Sequence, residues 1–219
     1  DAELENNGKL IKRDSGYTGI GVKLINNGQI IVDSGSTLAL SSNSIHSGSA
    51  SFSGRVVLSG GTHSFADGFS ASGLTEVGGG TVDVSSGNTR FGNMNIATQI
   101  QGNGNLIVAN ASITGGTMTG SGSTILASGG SHTLSGAYQY LRSGRTLRND
   151  GQLVVGATTN DVKLYMDGSN GGIAKTRLVN QGEMVFQGSK NTYIYQNSGN
   201  PDAELENNGK LIKRDSGYT

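Results

Sequence analysis

Three carboxylates in the last third of the sequence could supply acid–base chemistry. They are Asp161, Asp167 and Glu183, and Lys163, Tyr165 and Arg177 lie near them in sequence. Polysaccharide lyases and hydrolases built on parallel β-helices use paired carboxylates as general acid and base or as ligands for Ca²⁺. The spacing of the three acids defines no such pair, and solvated strand faces account for them. We therefore predict that the chain is not an enzyme.

Metal binding has two candidate segments. Residues 167–172 read DGSNGG and could wrap a cation, but they offer a single carboxylate where calcium loops usually offer several. His63 and His132 occupy the same place in the segments GTHSF and GSHTL, but they stand 69 residues apart, and His46 has no matching context. We expect the two matched histidines at outward strand positions, and we predict no metal site and no cofactor.

Composition argues against several other classes of function. There is no cysteine, so neither thiolate catalysis nor a cysteine-ligated metal is available. The motifs of serine hydrolases, dinucleotide-binding folds and P-loop proteins do not occur. Sixteen basic residues balance sixteen acidic ones, and no stretch approaches the roughly 20 apolar residues of a membrane span. We predict no nucleic-acid partner and no membrane span in this segment.

One cluster combines aromatic and basic side chains. Its members are Tyr138, Tyr140, Arg142 and Arg145, together with Tyr193 and Tyr195. Exposed rings can stack on sugars or pack against a neighbouring rod, whereas rings at alternate positions can also fill a core. Both explanations fit the spacing. The candidates for lateral or glycan contact are Tyr138, Tyr140, Arg142, Tyr193 and Tyr195.

The elements that would position these residues belong to a long repeat. Residues Asp202–Thr219 copy residues Asp1–Thr18 letter for letter, which gives a period of 201 residues. Selection for a fold preserves pattern rather than spelling, so this identity indicates tandem duplication. We predict that residues 1–201 form one structural repeat and that residues 202–219 begin the next identical one. A repeat array favours a role in reach, attachment or scaffolding.

A shorter motif recurs within the repeat: an aliphatic residue, asparagine two positions later, glycine four positions later, and then an aliphatic strand. The pairs are Asn6 and Gly8, Asn26 and Gly28, Asn149 and Gly151, Asn180 and Gly182, and Asn207 and Gly209, while a sixth copy keeps only Gly104. Glycine at a fixed place predicts a backbone with positive φ, and asparagine tolerates such bends. We interpret the motif as a strand, a turn and a second strand, with asparagines stacked between adjacent coils.

Turn signals recur every dozen residues or so, because Gly-Gly-Thr and Gly-Gly-Ser segments fill the gaps between the asparagine motifs. Rungs of roughly 20 residues are typical of a β-solenoid. We predict an all-β, single-chain parallel β-helix of about ten coils per repeat, which would advance about 48 Å at a strand spacing of about 4.8 Å. The alternative is an antiparallel, hairpin-rich β-sandwich, since Asn-Gly between aliphatic strands is also a strong hairpin signal.

The segments of the form N-x-G-x-φ-φ, such as residues 6–11 and 149–154, and the SGGT turn Ser59–Thr62 carry a family resemblance. They resemble the repeat regions of filamentous-haemagglutinin-like and autotransporter adhesins of bacteria. Those repeats are right-handed parallel β-helices, so the resemblance implies a right-handed coil. It also implies a secreted, surface-displayed rod used for adhesion, biofilm formation or filament building.

We therefore predict a structural repeat of a secreted or surface-displayed, fibre-forming protein, located outside the cell or at its surface. The predicted partners are neighbouring identical repeats placed end to end, which would cover the unpaired strand edges of a solenoid end. Lateral rods or surface glycans are further candidate partners. The alternatives are a glycan-binding adhesin module and a polysaccharide-active β-helix enzyme.

Overall fold

The fold is an all-β solenoid whose strand pairs are parallel. The computed structural model describes residues 2–47, 51–167, 175–196 and 202–214, and these residues form 27 strands and no helix. Each strand before the last turn pairs with a strand one turn later, as the strand Glu3–Asn6 does with the strand Lys23–Asn26 by placing Leu4 beside Leu24. The predicted parallel β-solenoid is confirmed, and the antiparallel sandwich is wrong. Within the same residues, no helix is long and apolar enough to cross a membrane.

The strands form three stacks along the axis. The first stack contains β1 (Glu3–Asn6), β4 (Lys23–Asn26), β7 (Ser44–His46), β10 (Thr62–Phe65), β12 (Thr81–Val84), β14 (Gln99–Gln101), β16 (Gly116–Met118), β19 (Gln139–Leu141), β22 (Val162–Met166) and β25 (Thr192–Gln196). Three long strands each span both the second and the third stack. They are β11 (Ser70–Val77), β13 (Asn88–Ile96) and β15 (Asn105–Ile113).

The remaining strands complete the second and third stacks. The second stack also contains β2 (Lys9–Lys12), β5 (Gln29–Val32), β8 (Ser51–Ser53), β17 (Ser123–Leu126), β20 (Thr146–Asn149), β23 (Thr176–Asn180) and β26 (Ala203–Asn207). The third also contains β3 (Gly16–Ile20), β6 (Ser36–Leu40), β9 (Arg55–Leu58), β18 (Ser131–Leu134), β21 (Gln152–Val155), β24 (Glu183–Phe186) and β27 (Lys210–Lys213).

The turns of the solenoid come in two forms. Seven contain three separate strands, one in each stack, and three contain two, because a long strand spans the second and third stacks. The turns lengthen towards the end of the chain: Asn88 and Asn105 bond across 17 residues, but Asn149 and Asn180 bond across 31. Counted from β1 to its copy β26, the 201-residue period spans nine turns and one further strand, slightly fewer than the ten coils predicted.

The core follows from alternation along the strands. In β12, Val82 and Val84 are fully buried, while Thr81 and Asp83 are half-buried on the outer face. Successive side chains of a strand point to opposite sides, so one apolar row per strand faces the interior. Burial of each such side chain contributes about 1.5–3 kcal/mol, which stabilises a chain with few apolar residues.

Aromatic rings fill the interior of the third to fifth turns. His46 and Phe65 stack with ring centroids 4.7 Å apart, and Phe52 meets His46 edge-on at 4.9 Å. Phe65 also contacts Phe69 at 4.7 Å and Phe91 at 5.3 Å. These distances are those of favourable aromatic pairs, which add about 0.5–1.5 kcal/mol each to the burial of the rings.

The motif glycines are required for a reason other than the one expected from the sequence. None of them has a positive φ, so that prediction is wrong. A Cβ atom on Gly28 would lie 2.1 Å from the carbonyl oxygen of Gly8, and one on Gly182 would lie 2.1 Å from that of Gly151. Glycine is needed because successive turns touch backbone to backbone at this corner.

Candidate functional site: the repeat boundary and a tyrosine strip

Motif asparagines stack along the axis at the corner after the motif strand. Asn149 Nδ2 donates to Asn180 Oδ1 at 2.7 Å, and Asn180 Nδ2 donates to Asn207 Oδ1 at 2.7 Å. The same two amides donate to the carbonyl oxygens of Glu183 and Lys210, one turn further on. Asn149 and Asn180 are fully buried, so these bonds satisfy groups that would be costly to leave unpaired.

The first motif of the chain makes the same pair of bonds. Asn6 Nδ2 donates to Asn26 Oδ1 at 2.6 Å and to the carbonyl oxygen of Gln29 at 3.2 Å. Asn207 is the copy of Asn6 in the second occurrence of the 18-residue segment. The last asparagine of one stack, Asn207, is therefore the copy of Asn6, the first asparagine of the other stack.

The two copies of the segment occupy different stacks. Strand β1 pairs with β4 in the first stack, whereas its copy β26 pairs with β23 in the second stack. Likewise β2 lies in the second stack, and its copy β27 pairs with β24 in the third. The first copy thus pairs in parallel with the following turn and the second copy with the preceding turn, and the two copies lie one stack apart.

Each copy is covered from one side only. Leu4 of β1 is 37% exposed and its copy Leu205 is 47% exposed, whereas Leu24, which has a turn on both sides, is 1% exposed. The neighbour of Leu4 is the following turn, and the neighbour of Leu205 is the preceding turn. A chain with turns on both sides of this strand would bury the leucine completely.

Charges are also complementary at both edges of the duplicated strand. Glu3 forms an ion pair with Lys23 at 3.1 Å in the following turn. Its copy Glu204 lies 3.5 Å from Arg177 of the preceding turn, and Arg177 Nη2 also donates to Glu206. Such half-exposed pairs contribute at most about 1 kcal/mol each, but they favour one register over its neighbours.

Five tyrosines form a strip on the outer face of the first stack, and we call this set the tyrosine strip. Tyr140, Tyr165 and Tyr195 are in register on β19, β22 and β25, with successive ring centroids 5.4 Å apart. Tyr138 lies 6.4 Å from Tyr165, and Tyr193 lies 5.2 Å from Tyr195. The structure brings all four candidate tyrosines together and adds Tyr165, which sequence reasoning placed among the acid–base residues.

Cations border the tyrosine strip. The guanidinium carbon of Arg142 lies 4.3 Å from the ring centroid of Tyr140, and Lys163 Nζ lies 5.4 Å from that of Tyr138. Both distances are within the range of cation–π attraction. Tyr138 is 52% exposed, so an apolar and polarisable surface with positive charge at its border faces solvent.

The three candidate acids have separate surroundings. Asp161 accepts a hydrogen bond from the backbone N–H of Asn191, and Asp167 pairs with Arg142 at 2.6 Å. Glu183 accepts a hydrogen bond from the side-chain amide of Gln152. Among the residues that the structure describes, no three His, Asp or Glu residues could together hold a metal ion. Residues 168–172 of the candidate cation loop lie outside that set.

A groove of about 470 Å³ lies beside the bends of the long strands. Its lining includes Ser72, Gly92 and Ala109, and its one charged residue is Arg90. None of the lining residues is a carboxylate, so the groove brings together no acid–base pair of the kind that a glycoside hydrolase or lyase would need.

The histidines are inside the solenoid, so the expected outward positions are wrong. His46, His63 and His132 are all 0% exposed. Ser44 Oγ lies 2.7 Å from His46 Nε2 and 2.6 Å from His63 Nδ1, and His63 Nε2 lies 2.9 Å from the carbonyl oxygen of Gly60. Asn26 Nδ2 approaches His46 Nδ1 at 3.4 Å. These contacts extend the asparagine stack of the first turns by three further side chains, those of His46, Ser44 and His63.

Burial keeps these rings neutral. It lowers the pKa of His46 to about 3, with a further lowering by the nearby His63, and it lowers the pKa of His63 to about 4 against the opposing hydrogen bond to Gly60. The pKa of His132 is lowered by burial as well. With neutral rings every contact has one donor and one acceptor: Asn26 to His46, His46 to Ser44, Ser44 to His63, and His63 to Gly60.

Arg145, which the sequence grouped with the tyrosines and Arg142, is also buried and does not join the tyrosine strip. It is 0% exposed, with Nε donating to Thr124 Oγ1 at 3.1 Å, Nη1 to the Gly102 carbonyl at 2.9 Å and Nη2 to the Ser123 carbonyl at 3.0 Å. Burial lowers the pKa of Arg145 to about 10, while Asp83 raises it, so the side chain is charged at neutral pH. It links three successive turns.

The sequence matches no protein-family model, no curated protein and no solved structure. What the geometry establishes is a parallel β-solenoid of the kind found in β-helical repeats. The likeness to filamentous-haemagglutinin-like and autotransporter adhesins rests on the motifs quoted above.

Proposed function

We propose that this chain is a structural repeat of a secreted or surface-displayed, fibre-forming protein in which identical repeats stack end to end as one continuous solenoid. The observation that carries the proposal is the placement of residues 203–213, which copy residues 2–12 and pair in register on the turn before them. The location outside the cell and the adhesin type follow from the resemblance to bacterial adhesin repeats.

For the first two strands of the repeat, pairing with the following turn is present in one copy and pairing with the preceding turn in the other. Asn207 accepts from Asn180, and its copy Asn6 donates to Asn26. A motif strand with turns on both sides would make both bonds, so the asparagine stack would continue across the boundary between two repeats. The same holds for the ion pairs of Glu204 and of its copy Glu3, which face opposite turns.

Gly8 gives a further reason to expect a turn before it. Nothing lies within 4 Å of a Cβ placed on Gly8, so its own surroundings do not require glycine. A Cβ on its copy Gly209 would lie 2.0 Å from the carbonyl oxygen of Gly182. Glycine at position 8 is explained when another repeat precedes it.

The test uses a chain of two consecutive repeats and the same substitution at two places. Gly209→Ala at the boundary is expected to destabilise the adjoining strands by about 1–3 kcal/mol, because the methyl group meets backbone. Gly8→Ala at the start of the first repeat is expected to change stability by less than about 0.5 kcal/mol. Hydrogen exchange of the amides in β24, β27 and β2 measures both effects.

The two variants also distinguish a continuous solenoid from separate domains. If each repeat folded alone, the two glycines would have identical surroundings, and the two substitutions would have equal effects. Equal protection of the first and second copies of β2 in the unmodified chain would likewise contradict the proposal.

Glycan binding is a second candidate function, and the tyrosine strip favours it. The rings stack on one another at 5.4 Å in a continuous aromatic row that a polysaccharide can contact along its length, and Arg142 borders it. We expect Tyr165→Ala to weaken binding of a long polysaccharide by about tenfold, the equivalent of one lost aromatic contact of about 1.4 kcal/mol. Tyr165→Phe, the matched control, is expected to retain most of the affinity in a titration followed by tyrosine fluorescence. Equal affinity of Tyr165→Ala and the unmodified chain would contradict this candidate.

A further inference from the structure

We propose that each repeat in the array is turned by one stack relative to the repeat before it, so that Tyr17 of one repeat continues the tyrosine strip of its predecessor. This inference rests on the proposed end-to-end continuation of the solenoid. It adds the relative orientation of the repeats and the surface by which a second copy meets the first.

The rotation follows from where the two copies of one segment lie. β1 is in the first stack and β26 is in the second, while β2 is in the second stack and β27 is in the third. A repeat that begins at β26 therefore has its own first stack above the second stack of its predecessor. Nine turns and one strand separate equivalent points, so the period is not a whole number of turns.

The rotation also determines which strand covers the end of the first stack. β25 is the last strand of that stack, and the next strand to reach the same side would be the third strand of the following repeat. That strand is the copy of β3, whose residues Gly16–Ile20 include Tyr17. The copy of Tyr17 is Tyr218, which lies outside the described residues.

Tyr17 is exposed on the outer face of its stack, as a member of the tyrosine strip must be. It is 69% exposed and lies in register with Thr37, while Thr18 is in register with the buried Leu38. Its ring is therefore on the outer face of its stack, as Tyr193 and Tyr195 are on theirs. Stacking β3 of the next repeat on β25 would bring this ring to the end of the tyrosine strip.

An array built in this way displays its tyrosines around the rod rather than along one side. Each repeat advances nine turns and one strand, or about 45 Å at about 4.8 Å per turn. Three repeats together complete 28 turns and restore the starting orientation after about 134 Å. A surface that recognises this rod would meet a tyrosine strip on each of its three sides in rotation.

The inference is tested on a chain of six repeats carrying one label per repeat. Ile45→Cys places a single thiol on the outer face of the first stack, where Ile45 is 47% exposed and the chain has no other cysteine. Gold particles coupled to these thiols would be imaged by electron cryo-tomography. We expect a spacing of about 45 Å along the axis. Once the gradual twist of the solenoid is subtracted, we expect successive labels on different sides and a return to the same side every third label.

A second label measures the gradual twist of the solenoid itself. Lys163→Cys lies on the same stack six turns after Ile45, within a single repeat. The angle between these two labels gives the twist per turn, which is subtracted from the angle between repeats. Lys163→Cys also replaces Ile45→Cys as the periodic label if the first variant does not fold.

The outcomes separate this inference from the function on which it rests. Labels about 45 Å apart that stay on one side after the twist is subtracted would overturn the rotation and leave the continuous solenoid intact. Irregular spacing, with flexible links between separate particles, would overturn the end-to-end solenoid as well.

Discussion

Arg145→Ala is expected to lower the free energy of unfolding of the surrounding turns by about 2–4 kcal/mol, because neutral acceptors in three turns each lose a hydrogen bond. The substitution removes three donors from the carbonyls of Gly102 and Ser123 and from the hydroxyl of Thr124. The Thr124 hydroxyl is fully buried and the Gly102 and Ser123 residues are half-buried, so each acceptor is left with one hydrogen bond fewer in a site with little access to solvent. Strands β17 and β20 would lose the side chain that joins them to β14.

Arg142→Ala is the matched control for this prediction. Arg142 is the same residue type three positions earlier, but its side chain is 41% exposed and pairs with Asp167 at the surface. Its loss is expected to cost less than about 1 kcal/mol. Hydrogen exchange in β17 and β20 measures the local stability of each variant. Similar losses for the two variants would contradict the linking role of Arg145.

Acidification from pH 7 to pH 5 is expected to cost about 4 kcal/mol, about 2 kcal/mol for each of His46 and His63. Burial lowers the pKa of His46 to about 3 and that of His63 to about 4 in the folded chain, whereas histidines of the unfolded chain have the ordinary pKa of about 6.5. Between these values the unfolded chain binds more protons, so stability decreases as the pH falls. The contribution is fully present above about pH 6.5.

The hydrogen-bond chain explains why protonation is costly. A protonated His46 would have a donor at Nδ1 facing the amide donor of Asn26, and a protonated His63 would have a donor at Nδ1 facing Ser44. Protonation therefore adds opposed donors to the cost of burying a charge between Phe52 and Phe65. Lowered burial of the aromatic cluster should accompany the loss of stability in acid.

His46→Asn is the matched control for the pH dependence. His46 is in register with Asn26 and, through it, with Asn6, so asparagine continues a stack that is already present. Urea unfolding at pH 7, 6 and 5 would then show a loss of about 2 kcal/mol in place of about 4. An unchanged slope in this variant would contradict the assignment of the effect to His46.

Much of this architecture was predictable because the determinants are local. A glycine at which two turns touch and an asparagine that bonds to its equivalent recur at fixed spacing, so Asn149, Gly151, Asn180 and Gly182 mark the corners of the coil in the sequence itself. The reason assigned to glycine was wrong because its constraint is contact with the neighbouring turn. A single stretch of sequence does not reveal that contact.

Burial of the polar residues was missed, although alternation carried the signal. His63 stands two positions before Phe65, and Arg145 stands two positions before Leu147, so each shares the inward side of its strand with an apolar residue. From the sequence we expected His63 at an outward position, and the sequence left the side of Arg145 open. The partners that make burial tolerable, Ser44 for His63 and Gly102 for Arg145, come from other turns.

The phase of the repeat relative to the solenoid could not be obtained from the sequence. Turn lengths vary from the 17 residues between Asn88 and Asn105 to the 31 between Asn149 and Asn180. With unequal turns, a period of 201 residues does not state how many turns it contains or on which side it ends. Only strand pairing showed that the second copy lies one stack further on.

Placement of the two copies of residues 2–12 one stack apart has a consequence for the gene. If the two identical stretches are also alike in nucleotide sequence, homologous recombination between them would add or delete 201 codons without creating a new junction. Each such event would leave the fold continuous but would rotate everything downstream to the next side of the rod. In the proposed rotated array, only changes by three repeats would keep the downstream repeats facing their original direction, so the number of repeats would select one of three orientations.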